Sequence, residues 1–167
     1  YNRNKRTPEG LTDAIGNYED AISRDPEYAE AHAGLAHAYL ALASMPRTDR
    51  EDAMSRAGAS ISAALELDPD LASAHAANGM LLCRYNYDWD GAELELRRAI
   101  DLEPQSAEAH QLLARVLAVR GENEEALVEA RKAVQLDRLA PGALVDNAIV
   151  SHAGGDPDGA LQQYEAA

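Results

Sequence analysis

From Ala107 to Ala140 the chain reads AEAHQLLARVLAVRGENEEALVEARKAVQLDRLA, and its apolar positions recur at helical spacing. Leu113, Ala114 and Leu117 form one stripe, and Ala126, Ala130 and Ala133 form another. Spacings of three and four put such residues on one face of a helix. Between the stripes, Gly121-Glu122-Asn123-Glu124 predicts a turn that ends the first helix and starts the second. Small or apolar residues at offsets of four and then three return in five places. They are Ala14/Tyr18/Ala21, Ala57/Ile61/Ala64, Ala92/Leu96/Ala99, Ala126/Ala130/Ala133 and Ala160/Tyr164/Ala167. An acidic residue followed by proline closes three of these helices, at Asp25-Pro26, Asp68-Pro69 and Glu103-Pro104. A fourth closure, Asp137-Arg138, has arginine in the proline slot. After each Pro-containing closure comes a short apolar helix of shared appearance: AEAHAGLAHAYL from Ala29, ASAHAANGMLLC from Ala72 and AEAHQLLARVLA from Ala107.

A helix–turn–helix unit of 34 residues with small residues at fixed offsets resembles a tetratricopeptide repeat. The resemblance implies an all-α, right-handed superhelical solenoid of about nine helices, in one domain spanning residues 1–167. Residues 1–28 would be a partial repeat, 29–71, 72–106 and 107–140 full repeats, and 141–167 a truncated terminal one. Helix one is expected from Pro8 to about Arg24, capped at Thr7-Pro8. Residues 1–6 would be the tail of a helix that is mostly missing. The unit 29–71 is nine residues longer than the reference unit, with the excess around Ala43-Ser44-Met45-Pro46-Arg47-Thr48. Pro46 stops the preceding helix, and Thr48 with Glu51 has capping-box spacing. Such a loop is a contact site or a plain connector. The turn Tyr85-Asn86-Tyr87-Asp88-Trp89-Asp90-Gly91 concentrates aromatic residues, and Asp88 or Asp90 can cap the helix after it. Its rings either plug the gap between helix pairs or form an exposed contact patch.

Composition narrows the function. The net charge of −14 argues against phosphate-rich nucleic acid and against anionic membrane surfaces. The one cysteine, Cys83, can form neither an intrachain disulfide nor a CxxC metal pair, in keeping with a reducing, cytoplasmic setting. No run of about 20 apolar residues predicts a membrane span. The chain starts at Tyr1 and stops at Ala167 inside a helical pattern, which reads as a fragment of a longer protein. An uncapped apolar edge at 141–167 would then favour self-association.

No phosphate-loop, nucleophile-elbow or HExxH motif is present, so neither enzyme activity nor a cofactor is expected. His32, His75 and His110 share one slot of successive repeats. Zinc needs ring nitrogens about 2 Å from the ion, whereas packed helices lie about 8–10 Å apart. These histidines are therefore expected to pack in the core and not to bind metal.

Protein or peptide binding is the expected role. In tetratricopeptide repeats the first helix of each pair lines a concave groove. Carried onto this chain, the resemblance implies groove residues His37, Leu40, Met80, Cys83, Arg84, Gln111, Arg115, Val119, Ile149 and His152. Arg84 and Arg115 would receive an acidic group of a partner, unless they pair with the chain's own carboxylates. Chaperone-type carboxylate clamps are disfavoured, because the matching places hold Ala33, His37, Ala77, Glu108 and Leu112.

A closer resemblance lies in KRTPEGLTDAIGNYEDAISRDPEYAEAHAGLAHAYLALAS and YDWDGAELELRRAIDLEP. These look like the tetratricopeptide region of bacterial multidomain signalling proteins that carry winged-helix, nucleotide cyclase or protein kinase domains. The resemblance implies a regulatory or sensory interaction module. A free-standing adaptor for envelope or pilus assembly, and the substrate-recruiting region of an enzyme, are the alternatives.

Overall fold

The computed structural model describes residues 8–137. Seven α-helices account for most of them, and there is no strand among the described residues. They are α1 (Pro8–Arg24), α2 (Ala29–Ala43), α3 (Arg50–Leu67), α4 (Ala72–Leu81), α5 (Trp89–Leu102), α6 (Ala107–Arg120) and α7 (Asn123–Leu136). The expectations placed on residues 1–6 and Thr7, and the terminal repeat 141–167 with Ile149, His152 and its uncapped edge, lie outside the described residues. So do the remaining helices of the expected nine. No helix among the described residues is long and apolar enough to cross a membrane.

Contacts divide the chain into two compact units, one ending at Asn86 and one beginning at Tyr87. In the first, α2 packs mainly against α3 and α1, and α4 packs against both α2 and α3. In the second, α6 packs against α7 and α5.

The alanine stripes are the cores of these packings. Ala57, Ile61 and Ala64 are buried, as are Ala92, Leu96 and Ala99, and Ala126, Ala130 and Ala133. On α6, Leu113, Ala114 and Leu117 are buried too. Alanine at such points lets helix axes approach closely, so the sites tolerate no larger side chain. Ala126→Leu is expected to lower stability by roughly 2 kcal/mol through overpacking. An unchanged melting temperature would show that the site has room to spare.

Chain closures follow from local chemistry. Asp25 Oδ1 accepts from the Glu27 amide at 3.2 Å, and Asp68 Oδ1 accepts from the Asp70 amide at 3.0 Å. These side-chain turns compete with helix and start the descent into the next repeat. Gly121 ends α6 with φ +82°, a left-handed conformation that a Cβ disfavours. The cap of α3 differs from the Thr48/Glu51 expectation by one residue. Asp49 is the N-cap, and its Oδ1 accepts from the Asp52 amide at 3.1 Å. Asp and Thr are both capable caps, and the helix starts where the stronger one sits.

Candidate binding surfaces

In the first unit the expected groove residues have diverse fates. His37 is half-buried on α2, and its Nε2 donates to the Ser73 carbonyl at the start of α4, at 3.1 Å. Leu40 is fully buried, and Met80 and Cys83 are nearly so. The thiol donates to the Met80 carbonyl at 3.5 Å. These three side chains therefore build the core of their unit, and His37 and Arg84 supply what surface their face presents. Arg84 sits in a π-helical turn, Leu82–Asn86, that continues α4. An inserted residue of this kind widens the helix and re-aims the side chains it carries. Arg84 Nε is buried and has no hydrogen-bond partner among the described residues. Tyr85, in the same turn, donates its hydroxyl to the Leu40 carbonyl at 3.1 Å.

In the second unit, Gln111 is half-buried on α6, while Arg115 and Val119 are exposed. Val119 stands at 60% exposure, high for an aliphatic side chain. The eight described groove candidates are thus split between the two units, His37, Leu40, Met80, Cys83 and Arg84 in the first and Gln111, Arg115 and Val119 in the second.

The slot shared by His32, His75 and His110 has a function that periodicity did not disclose. Each ring Nε2 bonds the carbonyl of the proline six residues earlier: His32 to Pro26 at 3.0 Å, His75 to Pro69 at 2.9 Å, His110 to Pro104 at 3.1 Å. A carbonyl only accepts, so each Nε2 is the donor. Only His110 is fully buried; His32 and His75 are half-buried, which corrects the expectation of three core histidines. The other ring nitrogen of His110, Nδ1, is bonded to the Glu129 carboxylate on α7. No group of three or more potential metal ligands comes together among the described residues.

The aromatic turn divides its tyrosines. Tyr85 is tied down, as described, whereas Tyr87 is 70% exposed. Tyr87 has φ +56°, an uncommon conformation for a residue with a Cβ. Its ring meets that of the half-buried Trp89 edge to face, with centroids 6.3 Å apart. Asp88 is the N-cap of α5, its Oδ1 accepting from the Gly91 amide at 3.0 Å. A recess of about 420 Å³ opens here, lined by Tyr87, Asp88, Trp89, Asp90, Arg120 and Glu122.

Arg120, in the last turn of α6, is the hub of that recess. It bonds Asp90, donates through Nε to Glu122 Oε1 at 2.8 Å, and lies 3.4 Å from Glu93 Oε2. The hydrogen bonds to Glu122 and then Asp90 push its pKa up, against an opposing effect of desolvation. On α5, Arg97 bonds Glu93 Oε1 and reaches Glu125 Oε1 on α7, both at 2.8 Å. Its pKa is raised chiefly by Glu93 and then by Glu125. These ion pairs join the three described helices of the unit.

No protein-family model matches the sequence, and no curated protein matches it. The geometry nevertheless defines a class: paired helices with alanine contacts, in the all-α fold of tetratricopeptide-repeat solenoids. Among solved structures, the chain is similar to TTC0263, a thermophilic tetratricopeptide-repeat protein of Thermus thermophilus. The identity is 24%, over 84% of this chain and 72% of that one, with a TM-score of 0.69. It is similar to PilW, a type IV pilus biogenesis factor, at 21% identity over 95% and 70% of the two chains, with a TM-score of 0.74. It is also similar to YrrB, a tetratricopeptide-repeat protein with an unusual peptide-binding site. There the identity is 20% over 95% and 76%, and the TM-score 0.61. At these identities the likeness carries the fold.

Proposed function

We propose that the chain is a protein–protein interaction scaffold without catalytic activity of its own, which binds a peptide segment of its partner. The supporting observation is Arg84. Its guanidinium Nε is buried without a hydrogen-bond partner among the described residues, on the helix that the tetratricopeptide resemblance assigns to the binding face. An unpaired buried donor is unfavourable, and a carboxylate supplied in trans would satisfy it. That YrrB has a peptide-binding site accords with this reading.

The closer sequence resemblance makes the module the regulatory or sensory part of a larger bacterial signalling or transcription-regulating protein, working in the cytoplasm. The structural likeness to the pilus biogenesis factor PilW favours a second reading, a free-standing adaptor or assembly factor.

Affinity capture from the source cells, read by mass spectrometry, tests the scaffold. The wild-type chain should retain a defined partner, and Arg84→Glu should weaken its retention about tenfold or more, the effect of losing a charge-assisted hydrogen bond. Arg115→Glu tests the exposed cation of the second unit in the same way. Capture of one identical set of proteins by all three chains would overturn the role given to these cations.

A further inference from the structure

We propose that the recess at the aromatic turn is a recognition pocket for an arginine side chain of a partner protein. The proposal does not depend on the role given to Arg84. Three observations on the second unit carry it. The first is an exposed ring pair: Tyr87, 70% exposed, stands edge to face with Trp89 at the mouth of a 420 Å³ recess. Nothing among the described residues covers a ring this exposed, and its face attracts cations.

The second observation is charge. Asp88, Asp90 and Glu122 line the recess, and Glu93 stands behind Arg120. The recess lining thus carries three carboxylates and one guanidinium, and that guanidinium is already held by Asp90, Glu122 and Glu93, the last of which also pairs with Arg97. The Asp90 side chain is 87% exposed despite its bond to Arg120, so its second oxygen is open to solvent. The local excess of negative charge matches a chain of net charge −14 and selects a cationic occupant.

The third observation is that the exposed Tyr87 ring and the carboxylates line one recess. A guanidinium stacks on rings while its edge donates two parallel hydrogen bonds to a carboxylate, whereas an ammonium is a compact, strongly hydrated point charge. The pocket therefore favours arginine over lysine.

Trp89 is the only tryptophan of the chain and lies inside the pocket, so its fluorescence reports occupancy directly. The probes are three blocked tetrapeptides, Gly-Arg-Arg-Gly and its Lys-Lys and Glu-Glu counterparts, titrated into the chain at low salt. A saturable change is expected with the arginine peptide, a weaker one with lysine and none with glutamate. Tyr87→Ala should weaken binding about three- to fivefold, the loss of an exposed cation–π contact. Asp88→Asn keeps a capping side chain and removes a charge, so it should weaken binding while α5 stays folded. Val128→Ala, at an exposed position of α7, is the control for nonspecific effects. Equal responses to all three peptides, no saturation with arginine, or full binding by Tyr87→Ala would each overturn the proposal.

Discussion

Replacing His110 with alanine lowers the free energy of unfolding by about 3–5 kcal/mol, the largest single effect expected in the described chain. The ring is fully buried and bonded at both nitrogens, to the Pro104 carbonyl and to Glu129. Since Nε2 must donate to the carbonyl, Nδ1 is the nitrogen that meets the Glu129 carboxyl, in a pair that has little access to water. Removing the ring leaves a cavity, an unmet carbonyl and a carboxylate at 17% exposure without its partner. Urea denaturation at neutral pH reads the loss. Two comparisons separate the buried pair from the proline bond. His32→Ala loses the proline bond from a half-buried site, and His75→Ala loses the same bond from another; each should cost about 1 kcal/mol. Glu129→Gln keeps a hydrogen-bonding partner for Nδ1 and should be far milder than His110→Ala. If all three histidine variants lose the same amount, the pair with Glu129 contributes nothing beyond the proline bond.

The second large effect is at Gly34. A Cβ built there would lie 2.5 Å from Tyr18 Cζ and 2.8 Å from the hydroxyl oxygen, with Cε1 closer still. The Tyr18 ring of α1 thus rests on the bare backbone of α2. In the next repeat the same two slots hold Ile61 and Ala77, a smaller partner facing a larger slot residue, and both are buried. Gly34→Leu must displace the end of this half-buried ring, and about 1–3 kcal/mol is expected, the overpacking range. Its signature is coupling. Tyr18→Ala in the Gly34→Leu background should recover part of the loss, because the two residues share one space. Strict additivity of the two substitutions in thermal unfolding would mean that the ring is not what the new side chain meets.

The repeat, the helix pairs and the alanine contacts were legible because a helix with one buried face must repeat that face at fixed offsets. The triplets Ala57/Ile61/Ala64, Ala92/Leu96/Ala99 and Ala126/Ala130/Ala133 all became core. Ala14, Tyr18 and Ala21 are only half-buried, although their pattern is the same. Periodicity reports which face turns inward, not how much lies against it. Buried Leu40, Met80 and Cys83 show the same limit at the groove. A slot number does not say whether the side chain ends in the core or at the surface. The histidine–proline bond left a trace, the six-residue interval from Pro26, Pro69 and Pro104 to His32, His75 and His110. Its meaning lay in a turn geometry that helical spacing does not address. The π-helical turn at Leu82–Asn86 left a fainter mark: the unit 72–106 is one residue longer than 107–140, but length alone does not say where the extra residue goes.

Bonds from each histidine to a proline only six residues away also bear on how the chain reaches its native state. They close very short loops, and the helix pairs that follow are neighbours in sequence. Little chain entropy is lost before a contact forms, and proteins dominated by such low-contact-order pairings fold quickly. Each repeat can set its own entry angle before its neighbour docks, so ordering spreads from whichever unit nucleates first.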